Sequence, residues 1–339
     1  MAKNPETAAT NPIFVGVDDG FACTDVVVMH GGKVLKTAVV TSRARSGEAN
    51  TTVIGGAEAE TVPVFDSEGE TWTVEDGSGS DSARFDTYPF SPMNRAIVHQ
   101  ALRLAGLAGR DVHIATGLPL AKFYVGGKPN NDYIARKRES LLKPVIAIDG
   151  QPLANIVAHN VFPEGLAAWV DYAVADGKMR VSAKETVGVI DIGGRTTDCA
   201  VVLQDRRIDH PRCGSALAGA LDVVAEVATK LSSRMGGLAI SEALVDKALR
   251  AGAHTLSVRG KSVDFSDLLE IALKQTLGKV KQEVSRRFGG AEDLDRIILV
   301  GGGAYLFKAA LDKDFPDQVY VPELPEFANA RGFAKYLSI

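Results

Sequence analysis

Asp18-Asp19-Gly20-Phe21-Ala22-Cys23-Thr24-Asp25 and Asp191-Ile192-Gly193-Gly194-Arg195-Thr196-Thr197-Asp198 spell one pattern, Asp-x-Gly-x-x-x-Thr-Asp, in two distant parts of the chain. Apolar runs flank both copies, at 13–17 and 26–29 around the first and at 187–190 and 199–203 around the second. Strand-forming residues on either side of a short glycine-bearing stretch read as strand, tight loop, strand. One Asp-x-Gly alone is also what an ordinary turn looks like. A second copy, with matched strands and a matched Thr-Asp, suggests two related halves presenting the same loop to one ligand. Glycine lets backbone N–H groups approach phosphate oxygens, and the acid can hold a metal ion directly or through water.

Around the first copy, 33–41 reads as a third strand after a Gly31-Gly32 turn. Around the second, Gln204-Asp205-Arg206-Arg207 turns the hairpin into a third strand, so a βββ module occurs twice. Short β-like pieces at 53–64 and 70–74 and a Gly/Ser/Asp loop at 76–82 indicate a small peripheral lobe. Ile97, Val98, Ala101, Leu102 and Ala105 recur at helical spacing within 91–105, and Gly106 fits the stop. A strand at 112–116 runs into Gly117-Leu118-Pro119-Leu120, where proline ends it. The basic run Arg136-Lys137-Arg138 lies in a helix at 130–142 and reads as a solvated face, with a phosphate or filament contact as the sharper alternative. The stretch 145–161 is β-like, with Asp149-Gly150 as a hairpin turn.

Phe162-Pro163-Glu164-Gly165 opens a helix, and Glu164 sits in or beside its first turn, where the helix dipole favours an acid. Helices follow at 216–233, 241–252 and 265–288. A strand at 294–300 ends in Gly301-Gly302-Gly303, with a helix resuming at about Ala304. Bare backbone at a helix N-terminus suits an anion or a ribose-adenine unit, while the spacing matches neither a Walker A loop nor a dinucleotide fingerprint. Residues 329–339 look like a docked final helix.

At 339 residues, two domains are the default. A composition of 45% hydrophobic and 24% charged residues is that of a globular protein, and a net charge of −4 gives no global attraction to nucleic acid. Cys23, Cys199 and Cys213 have neither metal-ligand nor disulfide spacing, which fits a reducing cytoplasm. The six histidines are scattered without metal-site spacing, and no Ser-His-Asp constellation can be argued. No stretch approaches the roughly 20 apolar residues that span a bilayer, and residues 1–12 read as a polar tail without a signal-peptide core.

The two loops and the triple glycine, in this order, resemble the actin/Hsp70/sugar-kinase ATPase superfamily. The Gly-Leu-Pro-Leu strand end at 117–120 and Pro163-Glu164 are similar to features of its plasmid-segregation ParM/StbA branch. The resemblance implies an α/β, two-domain actin-like fold with a duplicated βββαβ-type core and a nucleotide cleft between the domains. The implied division is domain I at 13–184 with a lobe at about 42–92, domain II at 185–315, and 316–339 returning to domain I.

The resemblance implies ATP and Mg²⁺ in the cleft, with the choice between ATP and GTP open. Asp18 and Asp191 would organise the metal. Asp19, Gly20, Thr24, Gly193, Gly194, Arg195 and Thr196 would meet the nucleotide phosphates, and Gly301, Gly302 and Gly303 the adenosine. Glu164, with Asp191, would be catalytic, orienting or activating the attacking water.

One departure stands out. Actin first loops carry small polar residues and then a lysine; here Phe21, Ala22 and Cys23 fill the loop and Asp25 takes the lysine's place. Arg195, a basic residue at a normally small position in the second loop, is the candidate for the missing charge. The expected function is a cytoplasmic ATPase that assembles head-to-tail into filaments and segregates plasmid or other DNA through an adaptor, without direct nucleic-acid or membrane binding. A small-molecule kinase of the same superfamily and a non-hydrolysing actin-like scaffold are the alternatives.

Overall fold

The computed structural model describes residues 13–48, 62–77, 79–175, 178–179 and 185–338. The tail expected at 1–12, most of the β-like piece expected from residue 53, and the boundary expected at 184/185 fall wholly or partly outside the described residues.

Two sheets with the same wiring carry the molecule. In the first, β1 (Ile13–Asp19), β2 (Cys23–His30) and β3 (Lys33–Thr41) form an antiparallel meander. Helix α1 (Pro92–Leu104), capped by Ser91 Oγ accepting from Asn94 N, leads to β4 (Asp111–Leu118), which pairs parallel to β1. Helix α2 (Asn131–Ser140) leads to β5 (Asn155–Pro163), parallel to β4, and α3 (Leu166–Ala173) follows. The strand order is β5-β4-β1-β2-β3. A parallel neighbour needs a crossover, and α1 and α2 supply the two crossovers here.

The second sheet repeats the plan. β6 (Val187–Ile192) and β7 (Thr197–Leu203) form a hairpin. Helices α4 (Ala220–Arg234), α5 (Glu242–Arg250) and α6 (Ser266–Phe288) intervene before β8 (Arg296–Val300), which lies parallel to β6. Helix α7 (Ala304–Asp314) starts directly after the three glycines. The third strand of this module is shorter than expected. Gln204–Arg206 forms a 3₁₀ turn with Asp205 and Arg206 at positive φ, leaving Arg207–Ile208 to pair with β7.

Each sheet has its own apolar core. Val15, Val17, Ile97, Leu102 and Ile114 are buried in the first, and Ile190, Val201, Leu231, Phe265 and Leu299 in the second. The last helix, α8 (Ala328–Ser338), crosses back onto the first sheet. Gly16 makes that docking possible, since a Cβ there would stand 1.8 Å from the Ala330 carbonyl oxygen.

A separate five-stranded sheet forms a lobe from Arg43–Ser46, Val64–Ser67, Glu70–Thr73, Asp81–Ser82 and Ile146–Ala147. The last of these corrects the hairpin expected around Asp149-Gly150. Ile146–Ala147 joins the lobe whereas β5 joins the first sheet, so the two never pair. Asp149 instead accepts from Arg103 Nη1 at 2.6 Å and from Gln151 N at 3.0 Å.

Candidate functional site

The repeated pattern sets one register twice. Asp18 pairs with Asp25 and Asp19 with Thr24; Asp191 pairs with Asp198 and Ile192 with Thr197. The two tips then meet across the halves of the molecule, for a Cβ on Gly194 would lie 2.7 Å from the Cβ of Ala22. Only glycine permits that approach. The carbonyls of Gly193 and Gly194 accept from Ala220 N at 3.0 Å and Leu221 N at 2.8 Å, which seats the second tip on the start of α4.

Behind the tips lies a cleft of about 450 Å³. Asp18, Asp19, Gly20, Glu164 and Asp191 line it, as do Gly193, Gly194, Arg195, Thr196, Gly301 and Gly302. Thr24 and Gly303 stand off it. Strand residues alternate faces, so Cys23 and Asp25 reach the cleft while Thr24 turns into the core, its hydroxyl 3.3 Å from Ser42 Oγ. Gly303 packs on Ile192, donating its N–H to the Ile192 carbonyl at 2.9 Å.

The cleft floor is acidic. Burial raises Asp18 from 3.8 to about 7, with Asp19 and Asp198 adding repulsion against a hydrogen bond from Asn329 that acts the other way. Burial and Asp18 raise Asp191 to about 7, and burial and Asp191 raise Asp198 to about 7. Glu164 is pushed well above the ordinary carboxylate range, first by burial and then by Asp18 and Asp198. Asp25 rises in the same way, through burial, Asp18 and Glu326. Such a cluster favours a counter-charge. Among the described residues, however, no three carboxylate, imidazole or thiol groups converge closely enough to ligate a metal by themselves. The donors are oxygens of the hard type that Mg²⁺ takes when waters and phosphates complete its shell.

Within the basic run read as a solvated face, Arg136 and Arg138 are exposed but Lys137 is not. Its side chain is 1% exposed, it lines the cleft, and its ammonium pairs with Asp19 and donates to the Pro89 carbonyl at 3.2 Å. Asn94 Nδ2 supplies Asp19 with another bond at 2.8 Å. Arg136, by contrast, lies over the Phe90 ring at 4.1 Å. Arg195 is partly exposed and does not turn into the floor. Its Nη2 donates to Asp86 Oδ1 at 2.7 Å, and its guanidinium lies over the Phe21 ring at 5.2 Å.

The most consequential residue without a sequence signal is Asn329, on α8. Its Nδ2 donates to Asp191 Oδ2 at 2.7 Å and to Asp18 Oδ2 at 3.3 Å, and its Oδ1 accepts from Gly165 N at 3.0 Å. One amide thus joins both metal-side candidates to the turn that carries Glu164. Asp198 makes a second cross-link, accepting from Leu120 N at 2.8 Å and from Ser215 Oγ. Further out, Arg84 reaches Asp222 at 2.6 Å, and Arg250 reaches Asp76 and Thr41 at 2.9 Å each.

A second cavity, of about 370 Å³, lies between α3, β8 and α8 and shares no residue with the cleft.

Residues 13–174 match the family model described as plasmid segregation protein ParM, N-terminal. Residues 189–313 match the one described as archaeal actin homologue MreB-like, C-terminal. Among solved structures, the archaeal actin homolog Ta0583 superposes with a TM-score of 0.75 at 21% identity, over 96% of this chain and 99% of that one. A non-polymerisable quadruple mutant of pCBH ParM gives 0.76 at 17% identity, over 97% and 99%. The subunit of a 15-stranded ParM filament from Clostridium botulinum gives 0.74 at 18% identity, over 96% and 99%. No curated protein matches the chain by sequence. At such identities the superpositions establish the fold alone. That fold is the two-domain actin-like one, and the chain is similar over residues 13–174 to the ParM N-terminal family and over 189–313 to the MreB-like C-terminal family.

Proposed function

We propose that the chain is an actin-like ATPase that forms head-to-tail filaments in a nucleotide-dependent way and serves the segregation of plasmid or other DNA in the cytoplasm. The observation that carries the nucleotide part is the meeting of Ala22 and Gly194 over an acid-lined cleft. The match of residues 13–174 to the ParM N-terminal family supports the cellular role. An archaeal actin homolog of this fold has been solved in complex with ADP, and a ParM of this fold as a filament.

In this reading Asp18 and Asp191 would hold Mg²⁺, since both carboxylates line the cleft and are the hard oxygen donors such an ion takes. Backbone N–H groups at Gly20 and Gly194, with the Thr196 hydroxyl, receive phosphate oxygens, while the Gly193 N–H closes the hairpin on the Thr196 carbonyl at 2.9 Å. Gly301 and Gly302 border the nucleoside. Mg²⁺-ATP, when bound, supplies the scissile phosphoanhydride and a divalent charge that offsets its phosphates. The Glu164 carboxylate orients the attacking water and takes a proton from it at an oxygen whose basicity burial has raised. Asn329 keeps Asp18, Asp191 and the Glu164 turn in one frame. Nucleotide shifts the population toward a closed subunit that polymerises, and hydrolysis relaxes that bias. A DNA-binding adaptor completes the proposal as the partner of the filament.

The test is light scattering and pelleting of purified protein, read together with phosphate release. Assembly that needs ATP and is followed by phosphate release supports the reading. Phosphoryl transfer to a small acceptor without assembly contradicts it.

A further inference from the structure

Phe21 in the first tip and Arg195 in the second both depart from the expected loop chemistry, and the structure brings these two side chains together. Arg195 projects from the β6–β7 tip between Gly194 and Thr196, lines the cleft, and crosses to the other half of the molecule to bond Asp86. Resting on the nucleotide reading above, we propose that Arg195 is a phosphate-responsive latch. Asp86 holds it across the cleft, and a nucleoside triphosphate takes it from Asp86, so phosphate and the cross-cleft contact compete for one guanidinium.

The partners make the exchange cheap. Asp86 is 85% exposed on its side chain, so its pair with Arg195 is formed largely in water, where such pairs contribute little and are easily replaced. The other described cations lining the cleft are more heavily committed. Lys137 is buried against Asp19, and Arg250 holds Asp76, Asp246 and Thr41. A guanidinium is planar, permanently charged and presents forked donors that match phosphate oxygens. The first loop offers no cation of its own. Phe21 explains how the side chain stays poised, because its ring supports the guanidinium by a cation–π contact whichever anion the donors face. Since the two anions share one site, binding and latching are linked reciprocally: whatever weakens the Asp86 contact must tighten phosphate binding.

Titration of Mg²⁺-ATP into the wild-type chain, Asp86→Asn, Arg195→Ala and the double variant, with melting temperatures taken in parallel, tests this. Asp86→Asn should tighten binding by roughly two- to five-fold, the range that an exposed ion pair can contribute. Arg195→Ala should weaken it by about tenfold, as loss of a charge-assisted hydrogen bond to phosphate does. Asp86→Asn should have no further effect in the Arg195→Ala background. Equal weakening by Asp86→Asn and Arg195→Ala would mean a static cross-link, and unchanged affinity in both would mean a surface contact; either result overturns the latch. If Arg195→Ala does not fold, Asp86→Asn alone decides, tightening for the latch and no change or weakening against it. Wild-type protein that binds no nucleotide refutes the reading of the cleft itself, a different failure from an intact affinity that ignores Arg195.

Discussion

Asp18 and Asp191, at equivalent positions of two separate sheets, share a single hydrogen-bond donor, Nδ2 of Asn329, at 3.3 and 2.7 Å. The helix that carries Asn329 starts beyond both sheets in sequence and packs against the first. The relation of the two halves at the cleft floor is therefore fixed by the last helix as much as by the hairpins.

Removing that donor should loosen the floor. Asn329→Ala deletes two hydrogen bonds to acidic groups and should lower stability by about 3 kcal/mol in urea unfolding of the empty protein. Asn329→Asp should cost more, because it adds a third carboxyl to the buried pair.

Asp19 and Lys137 form a buried pair, and breaking such a pair from one side leaves an uncompensated charge. Lys137→Met should destabilise by about 3–5 kcal/mol, and adding Asp19→Asn should recover much of the loss. Equal stabilities for the single and double variants would show that the pair is not what holds α2 to the cleft.

The empty protein should lose stability as pH rises. Asp18, Asp191 and Asp198 are raised from 3.8 to about 7, so across that window the folded chain binds more protons than the unfolded one. Their favourable contribution is complete below about pH 4 and disappears as pH passes through about 7. Thermal melts from pH 5 to pH 8 without nucleotide should show a falling Tm from these groups, and saturating Mg²⁺ with nucleotide should flatten the slope.

Glu164→Gln keeps the size of the side chain and removes its basicity. Nucleotide affinity should change little, while phosphate release should fall by about a hundred- to ten-thousand-fold. An unchanged rate would take Glu164 out of the chemistry.

Much of this was legible in the sequence because it is local. The eight-residue pattern contains both the turn and its closing pair, so the register Asp18–Asp25 and Asp191–Asp198 follows from one hairpin repeated. Helix α1 announces itself through its periodicity, its Ser91 cap and Gly106. The side of β2 to which Thr24 points was also available from strand alternation. Lys137 is different. A helix gives no local sign of which basic residue will be swallowed by its neighbours, although Tyr133, Lys137 and Ser140 recur at helical spacing. Asn329 carries no motif, and its role exists only once α8 has docked. Asp149-Gly150 has good turn chemistry, yet the strands on either side join different sheets.

The central claim is that both hairpin tips close on one nucleotide. Hydrogen exchange of the full chain, with and without a non-hydrolysable Mg²⁺-ATP analogue, tests it directly. Amides of 18–25 and of 191–198 should gain protection together, at one analogue per chain. Protection confined to one tip, or to neither while the analogue is bound, would contradict it.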